Sequence, residues 1–170
     1  MSKVGATDQV EVKSKVVSEP SAEVREVIGQ TRVRVRYAET DQMGVVYHAN
    51  YLVWFEVGRV ELMRQCGLHY KRMEIEEGCG MAVVEATARY KSPARYDEEL
   101  IVETTVRSVR GPMVRFGYRI LREADRLLLC EGETVHLVVG RDMKRRPMPK
   151  KYAQILNAAA SHSQARSLTA

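Results

Sequence analysis

An α+β domain, one long helix set against a five-stranded antiparallel sheet, is the fold class that the sequence predicts. Three observations predict it. One stretch, from Ala49 to Cys66, carries apolar residues at helical spacing. Five other stretches alternate polar and apolar residues with the two-residue period of strands. The order is strand, helix, then four strands separated by short turns, which implies antiparallel neighbours and leaves a single helix to cover the apolar face.

The first strand is TRVRVRY, residues 31–37, with Arg32, Arg34 and Arg36 on one side and Val33, Val35 and Tyr37 on the other. In the helix, Tyr51, Phe55, Gly58, Leu62 and Cys66 form one stripe, while Leu52, Val53 and Trp54 fill the remaining sides of the first turns. Gly67 supplies the stop. A helix apolar nearly all round in its first half has to be wrapped by other structure, so the sheet is expected to curl about it. MAVVEATARYK, residues 81–91, carries Val84, Ala86, Ala88 and Tyr90 on one face. ELIVETTVRSV, residues 99–109, carries Val102, Thr104 and Val106. MVRFGYRILR, residues 113–122, carries Val114, Phe116, Tyr118 and Ile120, with Arg115 and Arg119 opposite. The last strand, RLLLCEGETVHLVVG, ends at Gly140. Arg110-Gly111-Pro112 and Glu123-Ala124-Asp125 read as tight turns, so the four strands after the helix are expected to form a meander. So small a sheet leaves open edges, and pairing with a second copy is a simple remedy.

The chain has 170 residues, 45% hydrophobic and 29% charged, a globular composition consistent with one domain. No apolar run approaches the roughly 18 residues of a membrane helix. The N-terminus lacks a secretory apolar segment, so a cytoplasmic location is expected. Residues 1–30 read as an appendage with at most a short capped helix near Pro20, residues 31–157 as the domain, and residues 158–170 as a frayed tail. Cys66, Cys79 and Cys130 fit no metal knuckle and no redox pair, and read as reduced, packed thiols; no metal or cofactor is expected. A net charge of +5 suits an anionic partner. The basic residues are dispersed apart from KRRPMPKK, Lys144 to Lys151, and no basic helix or aromatic–basic interleaving of a nucleic-acid binder is present.

Between the first strand and the helix stand Asp41, Gly44 and His48. The first amides of a helix lack intrahelical partners and carry partial positive charge, so a buried helix start is an anion site. Gly44 lets a ligand approach the backbone. On the residues alone, Asp41 fits an Asx turn or a helix cap, and an isolated histidine at a helix start more often faces solvent. Asn50 reads as a capping or loop-fixing residue, Glu56 as a solvated or paired carboxylate, Trp54 as core, and His69 and His136 as structural.

YAETDQMGVVYHANYLVWFE, residues 37–56, resembles the signature of hotdog-fold acyl-CoA thioesterases of the 4-hydroxybenzoyl-CoA thioesterase group, in the bacterial branch associated with the Tol–Pal system. YKSPARYDEELIVET, RGPMVRFGYRILR and LVVGRDMKRRPMPK resemble the same branch, so the likeness covers about residues 31–155. It implies a five-stranded hotdog sheet around a central helix and a thioester hydrolase without cofactor. Asp41 is then the catalytic carboxylate, as general base or nucleophile, and the His48 backbone N–H faces the thioester carbonyl. Gly44, Val45, Tyr47 and Tyr90 are the expected substrate contacts. Coenzyme A phosphates call for cations, for which Lys91, Arg95, Arg110 and the Lys144–Lys151 run are available. The resemblance also implies a pocket at a dimer interface within a dimer or tetramer. The long N-terminal appendage departs from the family pattern. Short aliphatic and aromatic acyl groups both stay open. So does a non-catalytic binder of acyl-CoA or acyl carrier protein on the same fold. A hotdog dehydratase fits the Asp-before-His order less well, and steep salt dependence would mark a nucleic-acid binder.

Overall fold

The computed structural model describes residues 29–164, and the helix expected near Pro20 lies outside the described residues. The chain runs β1 (Gly29–Arg34), a 3-10 turn (Tyr37–Glu39), α1 (Asn50–Gln65), α2 (Tyr70–Glu76), β2 (Cys79–Tyr90), β3 (Glu99–Arg110), β4 (Met113–Arg122), β5 (Leu128–Gly140) and α3 (Lys150–Gln164). The strands form one antiparallel sheet in the order β1-β3-β4-β5-β2.

Alternation divides the sheet into two unlike faces. Val102, Ile120, Cys130 and Tyr90 lie in one row of cross-strand partners, and Thr104, Tyr118, Gly132 and Ala88 in the next. This is the inner face, and α1 lies on it. Phe55 stacks on Tyr118 with ring centres 4.3 Å apart. A Cβ on Gly58 would stand 2.7 Å from Val102 Cγ1 and closer still to Thr104 Oγ1, so only glycine lets helix and sheet approach this closely. The outer face holds ion pairs, among them Arg32–Glu123 at 2.7 Å, Arg119–Glu103 at 3.1 Å and Arg126–Glu103 at 3.0 Å. The expected polar and apolar faces are both present.

Several expectations need correction. Only β3, β4 and β5 form the meander; β2 pairs with β5 at the far edge rather than with β3. Alternation sets the face a residue takes, not the neighbour a strand takes. α2 leads the chain back to that edge, where Met81 N–H donates to Tyr70 Oη at 2.8 Å. β1 ends at Arg34, and Tyr37, expected inside, is 77% exposed because the chain there turns into the 3-10 segment. α1 is not wrapped all round within one chain. Tyr51, Trp54, Phe55, Gly58, Leu62 and Met63 are buried, but Leu52, Val53 and Val57 are exposed, because a sheet covers one side of a helix only. α2 and α3 were not expected. α3 carries helix past residue 157, where the tail was placed, and buries Tyr152, Leu156, Ala159 and Ala160. Gly67 is the stop foreseen for α1, at φ +76°, with Leu68 N–H donating back to the Met63 carbonyl at 2.8 Å.

Candidate active site

The loop after β1 is held by its own hydrogen bonds. Asp41 N–H donates to the Val45 carbonyl at 2.9 Å, and Gly44 N–H to the Asp41 carbonyl at 2.9 Å. Met43 N–H donates to Asp41 Oδ1 at 2.8 Å, which makes the segment an Asx turn and leaves Oδ2 without a partner among the described residues. Gly44 sits at φ +70°, which β-carbon-bearing residues rarely adopt. A bridge between Thr40 and Val46 ties this turn to the segment entering α1.

That segment presents its amides unevenly. Tyr47 N–H donates to the Glu39 carbonyl at 2.9 Å, and Asn50 N–H to the Tyr47 carbonyl at 3.0 Å. The His48 and Ala49 N–H groups, between them, have no partner among the described residues. Asn50 fixes the loop as foreseen, its Nδ2 donating to the Glu39 carbonyl at 2.9 Å. Tyr90 Oη donates to the His48 carbonyl at 3.1 Å, and Ala94 N–H donates to Tyr51 Oη at 3.1 Å. Beneath lies the buried Glu39 carboxylate. Burial alone would raise its pKa. The Arg36 guanidinium and amide, with Trp54 Nε1–H, outweigh that and hold it below the usual carboxylate range.

Val45, Val46, His48, Tyr51, Tyr90, Lys91, Ser92 and Pro93 line a groove of about 260 Å³ at this helix start. It unites four of the expected residues: Val45, His48, Tyr90 and Lys91. Asp41 and Gly44 stand beside it in the turn just described. Tyr47 is half exposed, its ring centre 4.3 Å from that of His48. Lys91 is paired with Glu131 at 3.0 Å. Arg95 is exposed in the following loop. Arg110 is not brought to the site within one chain. It ends β3, whose other end, Glu99, pairs with Arg34 just before the loop; at about 3.3 Å per residue the separation is about 36 Å. The Lys144–Lys151 run lies at that far end too, since Arg146 N–H donates to the Val138 carbonyl and Met148 N–H to the Gly111 carbonyl.

Sequence reasoning passed over a second constellation, farther along α1. Leu52, Val53, Glu56 and Arg59 face Val83, Ala86, Tyr118, Thr134 and His136 across a cavity of about 250 Å³. His136 is buried at 1% exposure, as a structural histidine would be, and it is hydrogen-bonded. Tyr118 Oη, Thr134 Oγ1 and His136 Nε2 form a chain with links of 2.7 and 2.8 Å. Burial and the nearby Arg59 charge push the His136 pKa down to about 4, only partly offset by the Met81 backbone. Burial pushes Tyr118 up to about 12, although Thr134 and Arg59 oppose it. Among the described residues no group of three or more His, Cys, Asp and Glu is placed to hold a metal ion.

Comparison with known proteins bears on the family and the fold. A family described as the thioesterase-like superfamily matches residues 35–156. YneP of Bacillus subtilis is 40% identical over 115 residues, 68% of this chain and 82% of its own. The acyl-CoA thioester hydrolase YbgC of Escherichia coli is 38% identical over 120 residues, 69% of this chain and 87% of its own. Among solved structures, a DHNA-CoA thioesterase from Staphylococcus aureus superposes with a TM-score of 0.71 at 32% identity, over 83% of this chain and 93% of its own. The hotdog-fold thioesterase resemblance drawn from the sequence is thereby borne out.

Proposed function

The chain belongs to the thioesterase-like superfamily and is an acyl-CoA thioester hydrolase, and on that premise we propose that it hydrolyses short-chain or aromatic acyl-CoA at the start of α1, with Asp41 as the catalytic carboxylate. The observation that carries this reading is the pair of unpartnered amides, His48 and Ala49, beside the groove. A thioester carbonyl docked there places its oxygen against both N–H groups, which stabilise the negative charge that develops on attack. Asp41 then removes a proton from water as the water adds to the carbonyl carbon. Alternatively it adds to that carbon itself to give an anhydride, which water opens. In either case the C–S bond breaks, coenzyme A leaves as thiolate and takes up a proton, and the acid is released. Tyr90 and Asn50 hold the helix start still for this chemistry.

The site is completed by a second copy. β2 is a long edge strand with Val83 and Val84 exposed, next to the exposed Leu52, Val53 and Val57 of α1. Antiparallel pairing of β2 with the β2 of another copy sets the Cys79 end of one against the Tyr90 end of the other. Cys79 pairs with Gly140, so the basic segment after Gly140 arrives at the neighbour's groove. It can meet coenzyme A phosphates that Arg110 and Lys144–Lys151 cannot reach in their own chain. An acyl-CoA substrate supports a cytoplasmic location for this work.

The test is thiol release from a panel of acyl-CoAs by wild type and Asp41→Asn, with sedimentation of both. A loss of about 10²–10⁴-fold in kcat is expected for the variant, with a dimer or larger assembly for each. Undiminished turnover removes Asp41 from the mechanism, and a fully active monomer removes the second copy from the site.

A further inference from the structure

Leu52, Glu56 and Arg59 follow one another at spacings of four and three residues and share one stripe of α1, and His48, in the turn that leads into the helix, stands four residues before Leu52 in line with it. His48 lines the groove at the helix start, and the other three line the second cavity. The walls of that cavity are apolar, from Leu52, Val53 and Val83. Its floor is the chain Tyr118–Thr134–His136. Arg59 is only 7% exposed, its guanidinium lies over the Tyr70 ring, and it makes no ion pair among the described residues; its Nη1 has no hydrogen-bond partner. His136 is 1% exposed; Thr134 holds its Nε2, and its Nδ1 makes no hydrogen bond of good geometry although the Met81 backbone lies near the ring. Glu56, the carboxylate that lines the same cavity, makes no ion pair with this buried guanidinium, and a planar anion is the natural complement of its open Nη1.

We propose that this cavity receives the distal end of an acyl group carrying a second carboxylate, with Arg59 gripping that carboxylate beside His136. The inference rests on the thioesterase reading and names the substrate class for the same site. The spacing supports it. Eleven residues separate His48 from Arg59, about 16 Å along the helix axis, and the arginine side chain leans back toward the helix start, leaving roughly 10 Å. An extended acyl chain of roughly eight carbons spans that gap. The volume, about 250 Å³, lies below the ~300–1,000 Å³ of sites that hold whole ligands, so it suits the end of an acyl chain rather than a nucleotide. If Tyr118 donates to Thr134 and Thr134 to His136 Nε2, the neutral ring carries its proton on Nδ1 as a second donor. Glu56 repels a carboxylate that stops short of Arg59, so the shortest dicarboxylic acyl groups are disfavoured.

The experiment compares suberoyl-CoA with octanoyl-CoA, equal in length and different only at the far end. Wild type is expected to show a kcat/KM at least tenfold higher for suberoyl-CoA, carried mainly by KM. Arg59→Met and His136→Phe are expected to erode that ratio about tenfold or more, with Arg59→Lys keeping part of it. Arg59→Lys, which keeps the buried positive charge, is the variant read should Arg59→Met or His136→Phe fold poorly, and a ratio it leaves wholly unlike that of wild type would mean that charge alone does not hold the acyl end. Calorimetric binding of suberate in preference to octanoate tests the cavity even if no thioester is cleaved, so this inference and the hydrolase reading fail separately. Equal use of the two substrates by wild type overturns the proposal. So does an Arg59→Met protein with an unchanged ratio and an altered sedimentation coefficient, which would show that a second copy fills the cavity.

Discussion

Holding His136 neutral should make the fold lose stability in mild acid. The folded protein keeps the ring neutral down to about pH 4, whereas the unfolded chain protonates it below its ordinary value of 6.5. Between those values the unfolded state binds more protons, so stability falls as pH falls through that window. Fully developed, the difference is about 3 kcal/mol, and at pH 5 about 2 kcal/mol. At roughly 2–4 °C per kcal/mol for a chain of this size, Tm should drop by about 4–8 °C between pH 7.5 and pH 5. The groups that face the ring are Arg59 and Glu56 from α1 and Tyr118 from β4. The carboxylates held below their ordinary values, Glu39, Asp125 and Glu131 among them, act mainly below pH 4.5, beneath the measured window. The assay is thermal or urea unfolding of wild type and His136→Phe at pH 5, 6 and 7.5. The variant starts lower, because Thr134 loses a partner, but its stability should vary about 2 kcal/mol less over that range. Parallel pH profiles for the two proteins, or a ring that titrates near 6.5 by NMR in the folded state, would refute the reasoning.

Two further outcomes follow from distances at α1. Gly58→Ala sets a Cβ 2.7 Å from Val102 Cγ1, so helix and sheet must separate, and urea unfolding should show a loss of about 1–3 kcal/mol. A variant as stable as wild type would mean that the helix rides looser on the sheet than described. Tyr90→Phe removes the 3.1 Å hydrogen bond to the His48 carbonyl. It should lower kcat about three- to tenfold with little change in the unfolding midpoint, and a change in KM alone would make Tyr90 a substrate contact rather than a positioning residue.

The parts of this fold legible in the sequence are those that a local period encodes. Ala49 to Cys66 was expected as helix and Asn50–Gln65 is observed. Every apolar face named for β3 and β4 points inward. α3 was legible in principle, since Tyr152, Leu156, Ala159 and Ala160 recur at helical spacing, but alanines give a faint apolar signal and the segment reads as tail. The place of β2 beside β5 was not legible, because alternation is silent on pairing order. The Asp41 turn and the helix start were legible because they lie within twelve residues of one another. The second cavity was not. Arg59 and His136 are 77 positions apart, and neither carries a local signal of burial.

The two sides of α1 answer to different demands. The side toward the sheet is explained by packing alone, with Phe55 on Tyr118, Gly58 against Val102 and Leu62 against Gly29. The stripe from His48 to Arg59 is not. Arg59 is buried with Nη1 unbonded and no ion pair among the described residues, so burying its charge costs stability that packing over Tyr70 offsets only in part. The Thr134–His136 link on the inner face also carries a cost, since its imidazole weakens the protein in acid. The network they form is left open at Arg59 Nη1 and His136 Nδ1, and those open ends point to something the single chain does not contain. The free amides at the start of the same stripe pose the same demand for an acceptor. One ligand laid along the helix, its carbonyl at His48 and its far end at Arg59, would meet both demands at once, whereas a protein surface would have to satisfy each separately.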